Sequence, residues 1–144
     1  MRFIDSNIFL HAYFTRKKPL TKHEIELKDR AKEIIVRVSE GEGVTITTTQ
    51  VAEILNIIES RLGQNEAVSF LSQLLAMDNI RLVSVSADEY ADAVATARDL
   101  GLGPNDAVAY NAMVTEGISE IYSMDHHFDD LPGIIRLPKI LHLE

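Results

Sequence analysis

Residues 2–10 read RFIDSNIFL. Phe3, Ile4, Ile8, Phe9 and Leu10 have the character of a buried strand, yet Asp5, Ser6 and Asn7 stand in its middle. A carboxylate inside an apolar run is costly unless something pairs with it. Whatever compensates Asp5 decides what kind of fold delivers it and what that fold does.

Working outward, the β-like residues at 3–4 are followed by VTIT at 44–47, IRLVSV at 80–85, EIYS at 120–123 and IIRL at 134–137. These runs carry the β-branched and aromatic enrichment of strands. Helical patterns lie between them, with start and stop signals. Thr21 to Glu24 has capping-box spacing ahead of Ile25, Ala31, Ile34, Ile35 and Val38. Thr47 to Gln50 repeats that spacing ahead of Val51, Ile54, Leu55, Ile58 and Leu62, with Gly63 as the terminating residue. Asn65 precedes AVSFLSQLLAM, Ser86 to Glu89 is another capping box with Gly101 closing its helix, and Pro104-Asn105 introduce a run over 106–116 ahead of Gly117.

Strands spaced by helices predict an α/β fold with right-handed crossovers and a largely parallel sheet covered on both faces. No repeat and no linker divides the 144 residues, so a single domain over 1–144 is expected. A chain of this length buries roughly 68–70% of its unfolded surface, enough for a real core.

Composition narrows the chemistry. The 46% hydrophobic and 25% charged residues are those of an ordinary globular chain. The absence of Cys excludes disulfides, thiol catalysis, zinc–thiolate and iron–sulfur sites. No apolar run approaches the ~18 residues of a membrane span, and Asp5 falls where a signal peptide would continue apolar. A cytoplasmic protein without a membrane partner is the expectation. The net charge of −8 argues against a generic polyanion binder.

In an open parallel sheet, function gathers at the carboxyl ends of the strands, near the switch point. Asp5 lies at the end of the first strand, and Glu53 in the first two turns of the helix after the second. Asp106 lies in the first turn of the helix after Gly101-Leu102-Gly103-Pro104-Asn105, and Asp125 just beyond the fourth strand in SMDHHFDD. Each has a bland reading. An acid in a first helical turn gains ~0.3–1 kcal/mol from the macrodipole, and a loop Asp can close an Asx-turn. Glu53 lies roughly 150° from the Val51–Ile54–Ile58 stripe at ~100° per residue, which suits solvent or a cleft equally.

Convergence of four carboxylates on one edge would change this weighting. Their repulsion in a poorly hydrated cleft is on the order of several kcal/mol, so some are protonated or a cation lies among them. Oxygen-only donors suit hard ions such as Mg²⁺ or Mn²⁺, and the reaction most naturally served is phosphodiester hydrolysis.

Together, IDSN at 4–7, TTQVAEIL at 48–55, PNDAVAYNAM at 104–113 and SMDHHFDDLPGI at 123–134 resemble the PIN-domain nucleases, in particular the VapC-type toxins of toxin–antitoxin pairs. The match runs over nearly the whole chain in the family's order. The resemblance implies a three-layer α/β/α fold whose five strands run in the order 3-2-1-4-5. It implies that Asp5, Glu53, Asp106 and Asp125 form the catalytic, metal-binding cluster of an endoribonuclease using Mg²⁺, with Mn²⁺ as a substitute. Asn7 and Ser123 match the family's supporting polar residues, and Asp129 and Asp130 are optional outer acids. RNA as substrate, a small antitoxin protein as partner and a homodimer are implied in the same way. The alternative is a PIN-like interaction module with weak or no nuclease activity.

Other residues are assigned less. Arg16, Lys17 and Lys18 are either a solvated charge run or phosphate contacts on the Asp5 edge. His126 and His127 follow Asp125 directly, but adjacent side chains diverge, and neither is given a catalytic task. His11, His23 and His142 read as surface residues. A dehalogenase-type phosphatase wants an Asp where this chain has Asn7, and a phospho-receiver wants paired acids after the first strand. No phosphate-binding Gly-rich loop occurs.

Overall fold

The computed structural model describes residues 1–14 and 19–139. In chain order the elements are β1 (Arg2–Ile4), α1 (Ser6–Tyr13), α2 (Lys22–Ser39), β2 (Val44–Thr47), α3 (Thr48–Leu62) and α4 (Gln64–Ala76). Then come β3 (Ile80–Val83), α5 (Ala87–Leu100), α6 (Pro104–Glu116), β4 (Glu120–Tyr122), a 3₁₀ turn at His126–Phe128 and β5 (Ile135–Leu137). The five strands form one sheet in the order β3-β2-β1-β4-β5, and each of the four pairings is parallel. The α/β class and the strand order are those expected.

Alternation along the central strands divides the interior in two. Ile4, Val44, Ile46 and Tyr122 face one side, where they pack with Ile8 and Phe9 of α1, Ile34 of α2, Ile54 and Ile58 of α3 and Leu74 of α4. Phe3 and Ile121 face the other, with Ala93 of α5, Val108 and Met113 of α6, and Phe128. Helices therefore cover both faces, in three layers. Phe3 and Ile4 are both fully buried, each worth about 1.5–3 kcal/mol of transfer free energy.

Helix ends follow local chemistry. Thr21 accepts the Glu24 amide, and Ser86 with Glu89 completes a reciprocal capping box. Gly101 and Gly117 end α5 and α6 in the left-handed region, at φ 67° and 69°, where a side chain would be strained.

Five expectations are corrected. RFIDSNIFL is not one interrupted strand: β1 stops at Ile4, and Asp5 N-caps α1 by accepting the Ser6 amide. Ile8, Phe9 and Ala12 are buried at helical spacing. Thr47 makes no backbone cap. It is the last residue of β2 and fully buried, and its hydroxyl pairs with the side chain of buried Gln50 instead. The third strand ends at Val83 because the Val85 amide turns away to the Thr48 hydroxyl at 3.1 Å. The fifth begins at Ile135, since the Ile134 amide bonds to Leu131 O at 3.2 Å. The helix expected after Asn65 begins at Gln64, directly behind Gly63.

Candidate functional site

The strand order reverses between β1 and β4, and a crevice is expected beyond their carboxyl ends. Asp5 lies on one side of this switch point and Ser123 with Asp125 on the other. Asp5 is 4% exposed. Its Oδ1 accepts from the Ser6 amide at 2.8 Å and from the Ser6 hydroxyl at 3.4 Å, while Oδ2 accepts from the Ser123 hydroxyl at 2.8 Å. Burial, then the negative charges of Asp106 and Glu53, push the Asp5 carboxyl up to about 7, although the bonds from Ser123 and Ser6 pull it down.

Glu53 sits in the second turn of α3, half-buried, and its Oε1 lies 3.4 Å from the Ser6 hydroxyl. The Ser6 hydroxyl thus lies between Asp5, the N-cap of α1, and Glu53 of α3. Asp106 is in the first turn of α6, with Pro104 as that helix's first residue. Burial and the charges of Asp125 and Glu53 push Asp106 up to about 6, opposed by His127. Asp125 N-caps the 3₁₀ turn by accepting the His127 amide at 2.9 Å.

Asp106 and Glu53 therefore act on Asp5, and Asp125 and Glu53 act on Asp106, at one sheet edge. Asp106, Asp125 and His127 offer ligand atoms within 4.8 Å of one another. His127 was not anticipated at the site. Its ring Nδ1 is 2.7 Å from Asp125 Oδ1, because the 3₁₀ turn curls the ring back over the acid that caps it. Its adjacency to Asp125 was the available signal, and only the turn gives it direction.

The supporting residues are tied into the same corner. Asn7 donates to the Ser123 hydroxyl at 3.3 Å and accepts the Met124 amide at 3.1 Å. The Ser123 hydroxyl also accepts the Asp125 amide at 3.0 Å. Gln50 donates to Asn105 O at 3.4 Å, linking the start of α3 to the start of α6.

The optional outer acids part company. Asp129 turns to Arg136 at 2.6 Å and His126 at 2.9 Å, away from the four-acid cluster. Burial works against it, but these hydrogen bonds hold Asp129 below the usual carboxylate range. Asp130 is exposed. His11 and His23 are half-buried and line a cleft of about 570 Å³ with Asn7, Lys28 and Arg61. Arg16, Lys17, Lys18 and His142 lie outside the described residues. Among the described residues no helix is long and apolar enough to cross a membrane.

The family model described as PIN domain matches residues 2–134. No curated protein sequence matches the chain. Among solved structures, VapC20 of Mycobacterium tuberculosis, a sarcin–ricin loop cleaving toxin, aligns with a TM-score of 0.64 at 20% identity, over 87% of this chain and 90% of its own. A toxin–antitoxin complex from Klebsiella pneumoniae gives 0.63 at 14% identity, over 94% and 96%. VapBC2 from Rickettsia felis, bound to a DNA fragment from their promoter, gives 0.62 at 17% identity, over 94% and 96%. At these identities the likeness is one of fold.

Proposed function

The chain belongs to the PIN domain family, and we propose that it is a Mg²⁺-dependent endoribonuclease, able to use Mn²⁺, that hydrolyses RNA phosphodiester bonds as the toxin of a toxin–antitoxin pair. The observation that carries this reading is the meeting of Asp5, Glu53, Asp106 and Asp125, from four separate segments, at one sheet edge. Two of them, Asp5 and Asp106, have carboxyls pushed above the normal range by burial and by neighbouring acids. Fixed carboxylates in mutual repulsion favour a divalent cation, and oxygen donors favour a hard one.

The four acids would hold the ion, with His127 beside Asp106 and Asp125. When bound, the cation neutralises phosphate charge and acidifies water. The chain's own residues do the positioning. The Ser6 hydroxyl stands between the carboxylates of Asp5 and Glu53, its one proton serving either, and Ser123 with Asn7 joins the two chain segments that carry Asp5 and Asp125. Glu53 completes the cluster and orients the attacking water. Water oxygen attacks phosphorus, and the bond to the leaving ribose oxygen breaks as that oxygen takes up a proton.

Two divalent ions would offset half of the net charge of −8. The remaining acidity suits selective rather than general RNA binding. Toxins and toxin–antitoxin complexes among the structural neighbours support the toxin role. The partners proposed are a small antitoxin protein and a second copy of the chain, with residues 1–144 acting as one domain in the cytoplasm.

Incubation of the purified protein with single-stranded RNA and Mg²⁺, Mn²⁺ or chelator tests the reading. Cleavage is expected with either metal, and none with chelator or in Asp106→Asn. Metal binding without cleavage of any RNA pool would overturn the nuclease reading and favour the interaction module.

A further inference from the structure

Arg136 belongs to β5, an edge strand that carries none of the four acids. Its side chain is nevertheless only 6% exposed, and a guanidinium is buried only where its charge is met. Four of its contacts reach back into the segment 123–129. Nε donates to Asp129 Oδ1 at 2.6 Å and one terminal nitrogen to Asp129 Oδ2 at 3.2 Å. The other terminal nitrogen donates to Ser123 O at 3.2 Å, while His126 Nδ1 lies 3.2 Å from the nitrogen that bonds Asp129.

Both ends of that segment are thereby fixed to one planar group, with Asp125 between them. At the first end, Arg136 holds the Ser123 carbonyl while the Ser123 hydroxyl contacts Asp5 and the Asp125 amide. At the second, the Asp129 amide closes the turn on His126 O at 3.0 Å and the Phe128 amide on Asp125 O at 3.3 Å. A two-point guanidinium–carboxylate pair fixes direction as well as distance. Phe128, fully buried, pins the middle of the turn from below.

We propose that Arg136, through its two-point pair with Asp129 and its bond to the Ser123 carbonyl, is a positioning residue that fixes the Asp125-bearing turn against Asp5 and Asp106 for divalent-cation binding. This rests on the metal-dependent reading of the site. Loosening the groups that support metal ligands costs about 10–100-fold in affinity. Lysine, a flexible point charge, cannot reproduce the fork.

The test is calorimetric titration of Mn²⁺ into the parent, Arg136→Met, Arg136→Lys, Asp129→Asn and the Arg136→Met/Asp129→Asn double variant. Circular dichroism checks each fold, and RNA cleavage gives kcat and KM. Each single change is expected to weaken Mn²⁺ binding about tenfold or more, with Lys restoring little. The double variant should be no weaker than the weaker single, because the two residues act as one unit. RNA cleavage should lose kcat with KM little changed. Folded single variants that bind Mn²⁺ like the parent, or effects that simply add, would overturn the proposal. Asp129→Asn, at a 39% exposed side chain, keeps the test open if Arg136→Met does not fold. A parent that binds Mn²⁺ yet cleaves no RNA defeats the ribonuclease reading while the calorimetry still decides the role of Arg136. A parent that binds no Mn²⁺ defeats both.

Discussion

The hydroxyl of Ser123 donates to Oδ2 of Asp5 at 2.8 Å, joining residues 118 positions apart in the chain. This bond crosses the point where the strand order reverses, and it ties the end of β4 to the end of β1. The same oxygen receives the amide of Asp125 and the side chain of Asn7. One buried hydroxyl therefore organises the corner in which the acids meet.

Ser123→Ala removes that oxygen and leaves buried donors and an acceptor unsatisfied. A loss of about 1–3 kcal/mol is expected, read as a lower midpoint in urea unfolding with an unchanged slope. RNA cleavage should fall as well, since Asp125 loses its tether. Parental stability would show that water replaces the hydroxyl without cost.

Asp5→Asn should abolish cleavage while leaving the metal-free protein at least as stable as the parent at pH 7. The amide keeps one oxygen for the Ser6 amide and turns its NH2 to the Ser123 hydroxyl, losing one accepted bond while relieving the repulsion from Asp106 and Glu53. Retention of full metal-dependent activity would remove Asp5 from the site. A large fall in Tm would instead mean that its hydrogen bonds hold the fold.

Stability of the metal-free protein should fall as pH rises. Asp5 has its carboxyl raised from 3.8 to about 7 and Asp106 from 3.8 to about 6. Between those values the native state holds protons that the unfolded chain has released, so raising pH favours unfolding. The contribution is fully present below about 4, is lost through the window to about 7, and is flat above it. Asp129, held low chiefly by Arg136, acts oppositely and only in acid. Tm measured from pH 5 to 7.5 should therefore decline, and Asp5→Asn should flatten the slope. A rise in Tm over this range would contradict the assignment.

Mn²⁺ should reverse that loss. At a free concentration of 100 Kd, a ligand bound by the native state alone adds about 2.7 kcal/mol, or roughly 5–10 °C in a chain of this size. Thermal melts at pH 7.5 with and without Mn²⁺ measure it. Asp106→Asn should lose most of the shift.

Lys28→Met probes the far end of α1. The ammonium lies 3.4, 3.3 and 3.2 Å from the carbonyls of His11, Ala12 and Phe14, where the helix leaves its acceptors unpaired. A loss of about 1–2 kcal/mol is expected from denaturant unfolding, with RNA cleavage retained once the protein is folded.

The α/β alternation and the candidate acids were legible because their signals are local, a β-branched run, a cap and an acid just beyond each, whereas the strand order and the grouping of the acids came only from the resemblance to a family. Helix α1 was harder to read. Its apolar residues continue those of β1 without a break in hydrophobicity, and the whole change of direction occurs at Asp5. The usable signal was an Asp-Ser-Asn start followed by Ile8, Phe9 and Ala12 at helical intervals. Ser6 and Arg136 carried no sequence signal of their roles. A hydroxyl between two acids, or a lone Arg on an edge strand, acquires a role only when the tertiary fold brings its partners to it. His127 depended likewise on the path of one short turn.

Three successive residues, Phe3, Ile4 and Asp5, enter one core, the opposite core and the acid cluster in turn. The chain has no slack there. Adding or deleting a single residue between Arg2 and Ser6 would exchange the two cores' anchors and swing the carboxylate off the crevice. Gly41 to Gly43, at the opposite end of the sheet between α2 and β2, lie away from the strand ends that carry the acids. Variation in length is therefore expected to collect at that end, and a library of single-residue insertions would find the first five positions the least forgiving of all.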